Sequence, residues 1–266
     1  MRILKKDLKV NLKSIIIWTI ASSMMSFISV VVYDSTVATA AAQWADMVKT
    51  MPKALLDAFN ITDKAFASIL GFYAVKGYTY VALLISIFAS MLGVKLINKE
   101  ENDGSIEFIL TKPISRFNYI TEKIVTLLLG ITIVNVAVDI LLALGIIMGS
   151  SAHFDINGFM SYSIAMYLLT ITFGLLSFMV ASVLKRSKNL SGIAIGIVLL
   201  SFFMTIIANM SNTFSDIKYA SLFNYIEPYN LLENGIELLP LLIFITLCIV
   251  SIVVSYISYL KKDIYS

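Results

Sequence analysis

Charge is what this sequence has least of. Only 14% of its 266 residues are Asp, Glu, Lys or Arg, against about 25% in a soluble globular domain. That leaves too little polar surface to cover a water-facing globule. Cysteine is nearly absent: Cys248 stands alone, so no disulfide and no cysteine-based metal site can form within the chain. Histidine is equally scarce. His153 is single and sits in a short connection, where it reads as a solvated loop residue, because a zinc site needs three or four ligands. The sequence contains no G-x-x-x-x-G-K-[ST], no H-E-x-x-H and no G-x-S-x-G, which removes the P-loop, zincin and nucleophile-elbow chemistries. Nor is there a pair of carboxylates inside its apolar stretches, so no catalytic site and no metal site are expected.

What the chain does have is long apolar runs. A helix needs about 20 apolar residues to cross about 30 Å of hydrocarbon. Charge-free or nearly charge-free runs of that kind cover residues 15–33, 77–97, 124–149, 159–184, 189–210 and 239–260. Lys95 snorkels at the end of the second, and Asp139 interrupts the third. The four prolines, Pro52, Pro113, Pro228 and Pro240, lie outside these runs or in a first turn, where they cost no helix hydrogen bond. The runs are too long for strands and lack the alternation of a barrel. The fold class predicted is an all-α integral membrane protein of six transmembrane helices, a single transmembrane domain over residues 1–266.

Orientation comes from lysine and arginine. With the N-terminus inside, 15 of the 20 Lys and Arg residues fall in cytoplasmic segments, as the positive-inside rule requires. Both termini are then cytoplasmic. The basic start, first apolar run and Ala38-Thr39-Ala40 loosely resemble a secretory signal. The run is longer than a signal core, however, and Asp34 separates it from the small residues, so a retained span is expected.

Three segments between runs are long enough for structure of their own. Residues 34–76 lie outside, with short amphipathic helices at 43–51 and 53–59 parted by Pro52. Residues 211–238 also lie outside, where Pro228 marks a turn and 229–239 reads as a short helix. Residues 98–123 face the cytoplasm. There Gly104 punctuates a charged stretch and Ser105 can cap a helix starting beside it. Ile106, Ile109 and Leu110 give that helix an apolar face. Pro113 ends it, and Ser115 can cap the next. The residues leave two readings open: a connector on the lipid headgroups, or a helix offered to a partner's groove.

Inside the spans, Asp139 is the one deep ionisable residue, and a carboxylate at a helix centre costs about 2.5–3.5 kcal/mol on insertion scales. With Asn135 on the same face, it reads as a polar contact between helices, worth about 0.6–2 kcal/mol. The functional alternative is a proton or substrate site. Gly192 and Gly196 form a G-x-x-x-G, and Ser86 with Ser90 and Ala89 with Gly93 repeat the spacing in the second span. All allow close helix approach, and packing within the chain is expected ahead of a dimer seam.

The cytoplasmic segment carries a resemblance. Glu100, Gly104, Ser105, Glu107, Leu110, Pro113, Ile114, Ser115 and Arg116, together with Leu222 to Pro228 before the last span, look like the membrane subunits of type-2 ATP-binding-cassette exporters. The resemblance implies two copies, or this chain and a close paralogue, facing each other in a plasma membrane, with bacterial origin expected. It implies that residues 100–116 form a coupling helix in a cleft of a separate cytoplasmic P-loop ATPase. That partner would bind ATP and Mg; this chain would hold no cofactor. On those terms Glu100, Glu101 and Glu107 meet basic residues of the ATPase, Ile106 and Leu110 fill its groove, and Arg116 holds the loop against the helix base. Membrane lipid is a further partner; nucleic acid is not. The little fixed charge in the spans suits an apolar or amphipathic cargo, a peptide toxin, antimicrobial or drug-like compound, which Trp44, Phe59 and Phe66 of the outer segment could contact. The rival readings are a proton-coupled secondary transporter using Asp139 and a non-transporting scaffold.

Overall fold

The computed structural model describes residues 2–33, 35, 40–58, 61, 68–103, 115–148, 155–184, 189–210 and 212–262. Among them there is no strand. Six helices are long and apolar enough to cross a membrane: Ile3–Val32, Ile69–Asn102, Arg116–Met148, Ile156–Val183, Leu190–Met210 and Leu238–Lys261.

In chain order the first is α1, Arg2–Val32. Two short helices come next, α2 (Ala41–Thr50) and α3 (Lys53–Ala58), parted by Pro52 as the sequence indicates. The second span is composite: α4 (Ile69–Tyr73), a π-helical turn (Ala74–Tyr78) and α5 (Thr79–Asn102). The third to fifth spans are α6 (Arg116–Met148), α7 (Ile156–Val183) and α8 (Leu190–Met210). Two 3-10 turns, Asn212–Ala220 and Leu222–Ile226, lead to α9 (Pro228–Asn234) and then α10 (Leu238–Lys261).

Three boundaries differ from the sequence expectation. The first helix starts a dozen residues before the apolar run. Its opening turns are amphipathic, with Lys5, Lys6 and Lys9 exposed while Asp7 and Asn11 are buried. The N–H of Leu4 donates to Glu122 Oε2 at 2.9 Å, so a carboxylate occupies the positive end of α1. The second span begins at Ile69 and not at 77. Lys76 ends the charge-free run, yet its side chain is exposed while its neighbours are buried. The helix expected over 229–239 is broken. Gly235, at φ 70°, ends α9 by donating its N–H to Leu231 at 3.1 Å, a left-handed stop that only glycine takes without strain.

Two spans make the centre. The second and fourth bury 67% and 61% of their most apolar window, against 17% for the sixth. Lipid is as apolar as leucine, so close packing of small residues holds such helices together. A Cβ on Gly93 would run into the carbonyl oxygen of Gly174, and Ser90 Oγ donates to Phe173 O at 3.4 Å nearby. The small-residue spacing in the second span therefore marks the contact of α5 with α7. Gly192 and Gly196 do not behave this way. A Cβ added to either meets nothing within 4 Å, so the packing expected for them within the chain is absent. Both lie on an exposed face of α8.

Candidate functional site

The end of the bundle that carries both termini is organised by charge. Asp7 comes from α1, Glu100 from the last turn of α5 and Lys123 from the second turn of α6. Lys123 Nζ lies 2.8 Å from Asp7 Oδ2 and 2.8 Å from Glu100 Oε2, and its side chain is 1% exposed. Tyr119 OH donates to Glu100 Oε2 at 2.6 Å, and Lys6 Nζ donates to Oε1 at 3.1 Å. One lysine thus joins three helices, and both carboxylates facing it are compensated. Such a buried set adds little net stability, but removing one partner costs about 3–5 kcal/mol, because a charge is then left alone out of water.

A second set sits beside it. Lys262 Nζ donates to Glu101 Oε1 and Oε2, both at 2.9 Å, and to the carbonyl of Leu184 at 2.7 Å. That carbonyl closes α7, where a cation suits the helix dipole. Arg116 Nη1 donates to the carbonyls of Leu260 and Lys262 at 3.2 and 2.9 Å, closing α10 in the same manner. Tyr119 and Tyr259 stack between the two sets, centroids 5.4 Å apart and planes within 14°.

This geometry corrects the roles expected for two residues. Glu100 and Glu101 are 6% and 4% exposed and bind this chain's own lysines, so they are not set out to meet basic residues of another protein. Their position explains it: carboxylates this close to the apolar interior need partners, and α1 and α10 bring lysines within reach. Arg116 holds the end of the sixth span; the loop it was expected to hold against the helix base lies outside the described residues. Ser115 does what its position suggests, accepting the N–H of Asn118 at 3.2 Å to cap α6. Gly104, Ile106, Glu107, Leu110 and Pro113 lie outside the described residues, as do His153, Phe59 and Phe66.

Residues 104–114 join two anchored points, Glu100–Glu101 on one side and Arg116 on the other. The ends of α5 and α6 that flank it are tied by these bonds to α1 and to the end of α10. The sequence holds one sign of this cluster: Asp7 is the only acid among residues 2–13, and Lys123 sits at the edge of an apolar run.

The intramembrane polar residues form rungs between α6 and α7. Asp139 Oδ1 accepts from Ser163 Oγ at 2.9 Å. Asn135 Nδ2 donates to Thr170 Oγ1 at 3.2 Å and to Ile131 O at 2.9 Å, and Thr132 and Tyr167 share a hydrogen bond of 2.7 Å. Asp139 is half-buried and Asn135 buried. Their geometry is that of helix contacts, with partners a turn or two apart on the facing helix.

The contacts at the opposite end are made mainly by rings and hydroxyls. Tyr73, Tyr78 and Tyr162 cluster around the π-helical turn, Tyr78 and Tyr162 with centroids 4.6 Å apart. Tyr162 OH donates to Pro228 O at 3.1 Å. Phe223, from the stretch noted before the last span, lies 5.6 Å from both Phe173 and Phe202. Ser221 Oγ donates to Ser201 O at 2.6 Å and accepts from Thr205 and from the N–H of Phe223. The 3-10 turn over Leu222–Ile226 is thereby folded back onto α7 and α8. Beside it a cavity of about 50 Å³ is lined by Tyr80, Phe202, Ile206, Asn209 and Glu227, among others. Desolvation there holds the Glu227 carboxyl above its usual range, with Lys218 acting in the opposite sense.

Over residues 1–264 the sequence matches the family described as "ABC-2 family transporter protein". No curated protein matches the chain.

Proposed function

From the premise that the chain belongs to the ABC-2 transporter family, whose members of this kind are membrane subunits without a catalytic site of their own, we propose that it is half of an ATP-driven exporter. In this reading a separate P-loop ATPase, binding ATP and Mg, docks on residues 100–116 from the cytoplasm. Both termini lie on that side of the plasma membrane. The observation that carries the proposal is the pair of anchors around residues 104–114. A segment tied at Glu100, Glu101 and Arg116 passes on a push instead of absorbing it. Glu107, Ile106 and Leu110, inside the segment, are then the residues left for the ATPase groove, with Gly104 and Pro113 setting its ends.

A second copy, or a close paralogue, completes the path. The cavity beside Glu227 encloses about 50 Å³, whereas sites for drug-sized ligands run to roughly 300–1,000 Å³. The cargo path is therefore placed between the two chains and not in this cavity. The exposed face of α8 with Gly192 and Gly196 is a surface on which a neighbouring helix can approach closely. The cargo proposed is hydrophobic or amphipathic, since the polar rungs at Asn135 and Asp139 are already engaged between helices.

The test is Leu110→Asp. A charge placed in an apolar groove should abolish co-purification of the ATPase from native membranes, while the variant inserts and elutes as the parent does. Undiminished co-purification would remove the coupling assignment.

A further inference from the structure

A second cavity lies at the charged end, between α1 and α5. It measures about 160 Å³ and is lined by Lys6, Asp7, Val10, Asn11, Lys95, Leu96, Lys99, Glu100, Asp103 and Lys123. One water needs roughly 15 Å³ on this measure, so the space admits a phosphate-sized group. Its charges are not balanced within the chain. Asp7 and Glu100 are taken up by Lys123, and Glu100 also by Lys6. Lys95 and Lys99, one turn apart on α5, have no carboxylate partner among the described residues, and only Asp103 at the end of the helix opposes them. The amide of Asn11, 3% exposed, donates through Nδ2 to Asp7 O, whereas its Oδ1 has no partner. A buried acceptor without a donor costs about 1–3 kcal/mol, which a ligand hydroxyl would relieve.

The position identifies the ligand class. The cavity sits where charged residues first appear on both α1 and α5, which is the level of lipid headgroups. Val10, on its border, is 43% exposed and continues along one face of α1 into the exposed apolar residues Ile17, Met24 and Ile28. Basic pockets between spanning helices on the cytoplasmic side take anionic headgroups. We infer that this cavity binds the headgroup of an anionic phospholipid, the phosphate between Lys95 and Lys99 and a headgroup hydroxyl donating to Asn11 Oδ1, with the acyl chains along Val10 and the face of α1. The inference requires that the chain spans a membrane; it does not require that it exports anything.

The experiment is native mass spectrometry of the detergent-purified full chain titrated with dioleoylphosphatidylglycerol, dioleoylphosphatidylcholine or glycerol 3-phosphate. The expected result is a saturable phosphatidylglycerol adduct, weakened about tenfold or more in Lys95→Gln/Lys99→Gln, since each lysine near a headgroup is worth roughly fivefold. Lys5→Gln/Lys9→Gln, which removes exposed charges of the same helix end outside the cavity, should change it less than about twofold. Lys95→Arg/Lys99→Arg should keep binding, which separates loss of charge from loss of fold. Equal weakening by both glutamine pairs would show general surface attraction and overturn the site. Equal binding of phosphatidylcholine would do the same, and so would displacement of the lipid by glycerol 3-phosphate at matched concentration, which would make the site one for free phosphate esters.

Discussion

The two ends of the bundle are held by different forces. At the end with the termini, Lys123, Lys262 and Arg116 tie together spans through charge-assisted bonds of 2.8–3.2 Å. At the far end, rings and hydroxyls take that part: Tyr73, Tyr78 and Tyr162, Phe173 and Phe223, Ser201 and Ser221. Ion pairs out of water are directional, and breaking them leaves a stranded charge. Ring stacking and neutral hydrogen bonds cost about 1 kcal/mol each to rearrange. The bonds at the end with the termini are therefore the costlier ones to rearrange. In the exporter proposed above, that division would place the stiffer element, the charged platform, beside the ATPase.

Breaking the platform should have the largest effect. Lys123→Ala leaves Asp7 and Glu100 facing each other without that cation and should cost about 3–5 kcal/mol, read as a large fall in the thermal midpoint of the purified chain. Asp7→Asn/Glu100→Gln/Lys123→Met should recover much of that loss; an unchanged midpoint in Lys123→Ala would show that the cluster is not compensating charge. In the helix contact next to the platform, Gly93→Val drives a side chain into the backbone of Gly174 and should cost about 1–3 kcal/mol. Gly196→Val in the same detergent-solubilised single chain should stay within about 0.5 kcal/mol. Equal destabilisation by the two would contradict the contrast between a packed and an open glycine face. At the far end, Ser221→Ala strands the N–H of Phe223 and should cost about 1–2 kcal/mol, clearly less than Lys123→Ala; a loss as large would erase the difference between the ends. Smallest of all is Asp139→Asn. An amide oxygen still accepts from Ser163, so folding and transport should both stay near the parent level. Loss of transport with normal ATPase association would point instead to a proton-dependent step at Asp139.

Much of the fold is legible in the sequence, because a bilayer imposes its thickness on the chain. Six apolar runs of the right length became six spans, Pro52 parts α2 from α3, and the spacing of Ala89 and Gly93 marks the central crossing. The boundaries are less legible where a lysine interrupts a run, as at Lys76, because snorkelling lets a helix continue past its charge. The same spacing at Gly192 and Gly196 predicts packing within the chain that does not occur. A small-residue pattern states that approach is possible and not which helix approaches.

The cluster of Asp7, Glu100 and Lys123 shows the same division. Sequence alone determined that the chain has six runs long and apolar enough to span a membrane, that its charges collect at helix ends, and that the 98–123 segment was the stretch to read for a partner. Glu100 and Glu101 read as outward-facing contacts when only their motif position is known and their neighbours are not. The tertiary structure alone decided that they face inward, since Asp7, Lys123 and Lys262 come from three helices far apart in the chain. The physical reason is that hydropathy and helical period are local properties, set within a turn or two, whereas the pairing of a buried charge depends on which distant helix packs beside it.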